Sequence, residues 1–197
     1  MKPERKKLEE KSFVIFLNAM SKIGKKNIIV PSDVKVIIDN NNINLEGPKG
    51  KKSLKINNEH LNVSFSDGKI CVAPKDPKKQ NKIIWGLQRS LINNAVIGVE
   101  KGYEQTLKLS GVGFRANLKG KQLQLQLGFS HDVMYDIPDG ISVKVEKQTT
   151  IKISGVDKEL VGKTVAEIKF FKPVEPYKQK GITSEGQFIL KKEGKKK

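Results

Sequence analysis

Residues 151–168, IKISGVDKELVGKTVAEI, contain the pattern that decides the fold. Ile151 and Ile153 alternate with polar residues, which predicts a half-buried β-strand. Asp157 follows the strand, and its carboxylate can accept hydrogen bonds from the free amides at the start of a helix. The next apolar residues recur at helical spacing: Leu160, Val161, Val165 and Ile168. The stretch therefore predicts a strand and a capped helix, which Pro173 ends.

The same pattern occurs 81 residues earlier in the chain. Strand, cap and helix all align at that single offset, Ile70 with Ile151, Val72 with Ile153, Asp76 with Asp157, Ile84 with Val165 and Leu87 with Ile168. Agreement of three features at one offset indicates an internal duplication. In the first copy, Pro77 suits the first helical position. The buried stripe of this helix is expected on Ile84, Leu87, Leu91 and Ala95.

Short alternating runs separated by turn residues precede each helix and predict antiparallel hairpins. Asp67-Gly68 is a strong two-residue turn because both positions tolerate positive φ. Leu123, Leu125 and Leu127 alternate strictly with polar residues. The predicted fold class is therefore α+β, with two tandem similar modules, each an antiparallel sheet packed against one helix.

The modules are expected at residues 20–101 and 102–172, with the boundary near Lys101-Gly102. Residues 173–197 are expected to form a basic C-terminal tail. Residues 1–19 are expected to be a disordered extension or the product of a start codon placed too early.

The charge points to a polyanionic partner. The 197 residues include 38 Lys and Arg against 21 Asp and Glu, a net charge of +17. Nucleic acid is the first candidate partner and an anionic membrane surface the second. Cys71, expected to face inward from its strand, is the one cysteine, which favours a reducing compartment. No apolar run approaches the roughly 20 residues that span a bilayer.

Catalytic and cofactor motifs fail on inspection. His60 and His131 have no partner at metal-ligand spacing, so neither a metal nor a cofactor is predicted. Residues 47–53 lack the first glycine and the Ser or Thr of a phosphate loop, and residues 111–114 lack the third glycine of a dinucleotide loop. Aromatic residues make up only 6% of the chain, too few for a base-stacking platform. We therefore expect a protein that is not an enzyme and that recognises RNA by shape and backbone.

The strongest binding signal is the C-terminal stretch 169–197, which has nine lysines and three acidic residues. Two prolines stiffen residues 170–181, so less entropy is lost when the lysines of this stretch are ordered on a phosphate backbone. The predicted RNA-binding residues are Lys169, Lys172, Tyr177, Lys178, Lys180, Lys191, Lys192, Lys195 and Arg115. Two further lysine clusters are explained equally well as binding sites or as solvated surface. They are Lys49, Lys51 and Lys52, and then Lys78, Lys79 and Lys82.

Several motifs resemble one family, the bacterial-type sixth protein of the large ribosomal subunit. They are MSKIGK at 20–25, LEGPKG at 45–50, SGVGFRA at 110–116, LGFSH at 127–131, KPVEPYKQKGI at 172–182 and KKEGK at 191–195. Val174 and Gln179 depart from the family pattern, which more often has Pro and Gly there. Residues 1–19 have no counterpart in it.

The resemblance implies two copies of one α+β fold in a structural constituent of the large subunit. It implies direct binding to large-subunit rRNA, mainly by the second module and tail, beside neighbouring ribosomal proteins. It also implies a place near the stalk base, where translational GTPases act, in a cytoplasmic bacterial ribosome rather than an organellar one.

Three other functions remain as alternatives. A DNA-compacting protein would dimerise and bind duplex DNA, but no Arg-rich recognition helix is predicted. An rRNA-modifying enzyme would need a cofactor loop or an acid–base cluster. A membrane-surface protein would need a basic amphipathic helix, for which the N-terminal extension is the only weak candidate.

Overall fold

The computed structural model describes residues 23–39, 41–75 and 79–194, with only the backbone described for 79–82. The chain divides into two compact units between Lys101 and Gly102. The expected extension 1–19, the expected cap Asp76 and the following Pro77 lie outside the described residues. Neither described helix is long and apolar enough to cross a membrane.

In the described part of the first unit, six strands are followed by one helix. The strands are β1 (Ile28–Ile29), β2 (Lys35–Ile38), β3 (Asn42–Gly47), β4 (Gly50–Lys55), β5 (Leu61–Ser66) and β6 (Lys69–Pro74), and the helix is α1 (Lys79–Glu100). They form two antiparallel sheets, β1-β6-β5 and β2-β3-β4. The predicted turn between β5 and β6 is confirmed, since Asp67 and Gly68 have φ of +50° and +70°.

The second unit repeats this order and adds a strand after its helix. Its elements are β7 (Tyr103–Ser110), β8 (Arg115–Lys119), β9 (Gln122–Gln126), β10 (Val133–Asp136), β11 (Ile141–Glu146), β12 (Thr150–Gly155), α2 (Lys158–Phe171) and β13 (Gly181–Ser184). The sheets are β10-β9-β8 and β11-β12-β7-β13. The predicted cap of α2 is confirmed, because the Asp157 carboxylate accepts a hydrogen bond of 3.1 Å from the Glu159 amide.

The two units share one topology. β6 lies between β1 and β5 in the first unit, and β12 lies between β7 and β11 in the second. In each unit the remaining three strands form an antiparallel meander. The predicted α+β class with two tandem modules is confirmed, but each unit contains two sheets where one was predicted.

The predicted apolar stripe of α1 is wrong: along most of the helix it lies one residue before the stripe that is buried. α1 buries Trp85, Gln88, Ile92, Ala95, Val96 and Val99, whereas Leu87 is 59% exposed. The Trp85 indole N–H donates to the Val72 carbonyl (2.6 Å), and the Gln88 amide donates to the Lys55 carbonyl (2.9 Å). The buried stripe is hard to recognise in the sequence because it includes a polar residue, Gln88. Burial of the Gln88 side chain is possible because the folded backbone accepts a hydrogen bond from its amide.

The correct stripe also changes the alignment of the two copies. The buried residues Trp85, Gln88 and Ile92 align with Val161, Thr164 and Ile168 at an offset of 76 residues. The strands still align at 81, since Ile70 and Ile151 are both buried. The first unit therefore has five additional residues between the buried residues of its last strand and those of its helix.

Cys71 is exposed, which corrects the expectation that it faces inward. Its neighbours Ile70 and Val72 are both buried. Successive side chains of a strand point to opposite faces, so Cys71 must face outward.

Candidate nucleic-acid interface

A basic surface of the second unit is built around residues 172–182, which run from the end of α2 into the first two residues of β13 and which we call the 172–182 loop. Three backbone hydrogen bonds close it: Ile182 N to Lys172 O (3.0 Å), Glu175 N to Lys180 O (2.9 Å) and Gln179 N to Glu175 O (3.0 Å). At its end, Ile182 is fully buried and pairs with Leu109 of β7. The segment expected to be a tail is thus anchored in the core of the second unit.

The backbone of the 172–182 loop makes special demands at two positions. Gly181 has φ of +141°, and a Cβ there would lie 2.7 Å from the Val174 Cα and 2.8 Å from the Pro173 carbonyl oxygen. Only glycine fits that site without moving the backbone. Gln179 adopts φ of +55°, a left-handed conformation that is costly for a residue with a side chain.

The side chains of this loop that were predicted to bind RNA point into solvent. Tyr177 is 56% exposed, and Lys178 and Lys180 are exposed. Among the described residues, no carboxylate lies within 4 Å of either lysine amino group. The loop therefore presents two cations whose charge no neighbouring carboxylate neutralises, on a backbone that is already fixed.

The segment after β13 returns to the same loop. The Lys192 amide donates to the Pro176 carbonyl (3.0 Å), which places Lys191 and Lys192 beside it. Further back, the Gln187 side-chain oxygen accepts from the Lys169 amino group (2.7 Å) and the Ser184 amide (3.3 Å). Lys169 is thus hydrogen-bonded to a neutral partner and not to a carboxylate.

Lys172 occupies a different position from that of the lysines in the middle of the loop. Its amino group lies 4.6 Å from the centroid of the Phe129 ring, a cation–π contact. On the same ring, His131 stacks at a centroid distance of 6.3 Å and an interplanar angle of 22°. Phe129 belongs to the LGFSH motif at 127–131 but was not among the predicted binding residues.

Arg115 reaches the same end of the second unit through strand register. Ser110, the last residue of β7, pairs with Gly181, the first residue of β13. The turn after Ser110 therefore starts beside the end of the 172–182 loop, and exposed Arg115 follows that turn at the start of β8.

The structure places eight predicted residues on the second unit, from Arg115 and the 172–182 loop to the segment after β13. Lys169 lies further along, beside Ser184. These residues are Arg115, Lys169, Lys172, Tyr177, Lys178, Lys180, Lys191 and Lys192. Lys195 lies outside the described residues.

Two of the carboxylates near this surface, Glu185 and Glu167, have partners of their own. Glu185 pairs with Lys108 (3.3 Å). Glu167 accepts a hydrogen bond from the Tyr135 hydroxyl (2.6 Å) and lies 4.0 Å from Lys163. Burial, together with that hydrogen bond, raises the pKa of Tyr135 to about 12. These acids contribute little to neutralising the lysines of the 172–182 loop.

The first unit offers weaker basic clusters. At the β3–β4 hairpin tip, Lys51 pairs with Glu46 (2.6 Å), and this hydrogen bond lowers the pKa of the Glu46 carboxyl. Lys49 is exposed. Of the second cluster, Lys78 and the side chains of Lys79 and Lys82 lie outside the described residues. Among the residues that the structure does describe, no three His, Cys, Asp or Glu side chains are grouped as a metal site would require.

The family model for ribosomal protein L6 matches the chain twice, over residues 30–102 and 110–185, one match in each unit. The chain belongs to the ribosomal protein L6 family. Three similar bacterial relatives, each called large ribosomal subunit protein uL6, come from Phenylobacterium zucineum, Methylocella silvestris and Sphingopyxis alaskensis. They are 49%, 48% and 46% identical over 178 residues, which is 90% of this chain and 100% of each relative.

Membership of the L6 family confirms two predictions made from the sequence. The resemblance carried by the motifs was correct, and the protein belongs to a structural, non-enzymatic ribosomal family. The two family matches also agree with the duplication, because the 30–102 match falls in the first unit, apart from its last residue, and the 110–185 match falls in the second.

Proposed function

We propose that this protein is a structural constituent of the large subunit of the cytoplasmic bacterial ribosome, and that it binds large-subunit rRNA mainly through its second unit. The 172–182 loop and the segment after β13 form the contact. One observation carries this assignment: the loop is closed by three backbone hydrogen bonds and presents Lys178 and Lys180 without carboxylate partners among the described residues.

Physical chemistry favours a phosphate backbone as the ligand. Each lysine that neutralises a phosphate releases condensed counterions, and the gain is entropic. A loop that is already ordered loses less conformational entropy on binding than a flexible polycation does. The net charge of +17 adds long-range attraction to any polyanion.

A position near the stalk base, close to translational GTPases and next to other ribosomal proteins, is the finer part of the proposal. It is supported by the family resemblance of the 172–182 motif and by the names of the relatives, which are large-subunit proteins.

Ribosome fractionation tests the assignment as a whole. In a sucrose gradient at moderate salt, the protein is expected to sediment with large subunits. Recovery at the top of the gradient would contradict the proposal, and equal affinity for duplex DNA and rRNA would favour a DNA-compacting protein instead.

The loop itself is tested by the double variant Lys178→Gln/Lys180→Gln. If both lysines contact phosphates, the slope of log K against log salt should fall by about 1.8, since each contact contributes about 0.9. The matched control is Lys69→Gln/Lys75→Gln in the first unit, which removes the same charge from exposed positions there. Equal effects of the two variants would show that only net charge matters and would remove the loop from the proposed site.

A further inference from the structure

Two phenylalanine rings of the second unit are almost fully exposed, Phe170 at 84% and Phe188 at 88%. Within the described part of the chain, neither ring has an aromatic or cationic partner. Phe129 differs from both, because Lys172 and His131 lie against its ring and it is only 45% exposed. Phe170 and Phe188 therefore have ring faces that are open to a ligand.

Phe188 projects from a backbone that is fixed on both sides. Gln187 is held by Lys169 and by the Ser184 amide, and its own amide donates to the Ser184 carbonyl (3.1 Å). Four residues beyond Phe188, the Lys192 amide is bonded to Pro176. The ring is thus presented by an ordered segment, which lowers the entropy cost of using it as a binding surface.

Phe170 belongs to the last turn of α2, and a direct bond connects its neighbourhood to that of Phe188. The Lys169 amino group donates to Gln187, and these two residues directly precede the two phenylalanines. The hydrogen bond therefore links the end of α2 to the segment that carries the second ring.

The charge around the two rings indicates which class of ligand they bind. Lys169, Lys191 and Lys192 flank them, and no described carboxylate pairs with these lysines. Exposed aromatic rings among unneutralised cations are the combination that binds single-stranded nucleic acid, where bases stack on rings and lysines contact phosphates. An apolar protein partner would leave these cations without counter-charges.

We propose that Phe170 and Phe188 stack on unpaired bases of the large-subunit rRNA, with Lys169 and Lys191 contacting the adjacent phosphates. This inference rests on the proposed rRNA binding and adds a stacking site to it. It also revises the expectation from composition that recognition uses shape and backbone alone: two well-placed rings can stack on bases even though aromatic residues are scarce.

A fluorescence experiment tests the stacking directly. The chain has one tryptophan, Trp85, which is 1% exposed, so the emission of the unaltered protein should change little on binding. In the Phe188→Trp variant, large-subunit rRNA is expected to quench the new indole, whereas Phe65→Trp, at an exposed position of the first unit, should not be quenched. Complex formation without quenching at position 188 would overturn the inference and leave the proposed function intact.

Affinity measurements separate stacking from charge. Phe170→Leu/Phe188→Leu keeps the apolar character but removes the rings, and should weaken rRNA binding by about thirtyfold or more at constant salt slope, since each of the two stacked bases contributes at least ~1 kcal/mol. Phe188→Trp should keep the affinity. Unchanged affinity in the double variant, or the loss of a neighbouring protein from the subunit instead, would overturn the stacking site. If the unaltered protein failed to bind rRNA at all, the proposed function would fall first.

Discussion

The two units share one topology, but only the second carries the strand that positions a basic surface. In the first unit, β1 consists of two residues at the edge of its sheet. Its counterpart β7 has eight residues and pairs with β12 on one side and β13 on the other. A longer edge strand provides enough backbone hydrogen-bonding groups to accept a fourth strand. One added strand thus turns a duplicated scaffold into a support for the 172–182 loop.

The helices differ in the same comparison. α1 spans 22 residues and buries Trp85, whereas α2 spans 14 residues and buries Val161 at the equivalent position. The indole also donates a hydrogen bond to the preceding strand, which valine cannot do. The helix of the first unit therefore contributes one large aromatic side chain to its core, where the helix of the second contributes a small aliphatic one.

The largest expected effect comes from truncating these two equivalent residues. Trp85→Ala should destabilise the first unit by about 4 kcal/mol, since it leaves a cavity and an unpaired Val72 carbonyl. Val161→Ala should cost the second unit about 2 kcal/mol. Hydrogen exchange of backbone amides measures the two units separately. Equal losses in the two units would show that the helices do not differ in this way.

The next effect concerns the loop that only the second unit has. Gly181→Ala should destabilise that unit by about 3 kcal/mol, because the new Cβ would overlap the backbone of Val174. Gly186→Ala is the control, since Gly186 also has positive φ (+76°) but open space around it. Its cost should be about 1 kcal/mol. Urea denaturation of the two variants separates the cost of the clash from the cost of the positive φ. Identical denaturation midpoints would contradict the predicted clash.

The smallest effect tests two non-glycine residues with positive φ, one in each unit. Gln179→Gly should stabilise the second unit by about 0.5–1 kcal/mol, because glycine adopts φ of +55° without a steric cost. Asp67→Gly, at φ of +50°, should change stability by only a few tenths of a kcal/mol, since aspartate tolerates this conformation better than glutamine. Thermal unfolding measures the stability of both variants. A destabilised Gln179→Gly variant would mean that the Gln179 side chain supports the loop.

Local sequence signals predicted much of the fold and part of the candidate site. The Asp67-Gly68 turn, the Asp157 cap and the alternation at Ile151 and Ile153 depend on the chemistry of neighbouring residues, and each appears in the structure as expected. The lysines of residues 169–192 stood out by composition, and the structure shows that most of them are exposed.

Other features could not be predicted because they depend on contacts between distant residues. The α1 stripe contains Gln88, whose amide is satisfied by Lys55, 33 residues away. The two exposed phenylalanines look like core residues in the sequence, since apolarity alone does not say which side chains the fold leaves uncovered.

The sequence by itself determined the duplication, the α+β class and the strong positive charge, because periodicity and composition are properties of the chain. The tertiary structure alone decided that residues 181–184 become a strand beside β7. That pairing joins segments about 70 residues apart in the chain, and its hydrogen bonds carry no local signature. It fixes the C-terminal end of the 172–182 loop, and the hydrogen bond from Ile182 to Lys172 ties the other end to it, so a basic stretch becomes an ordered surface.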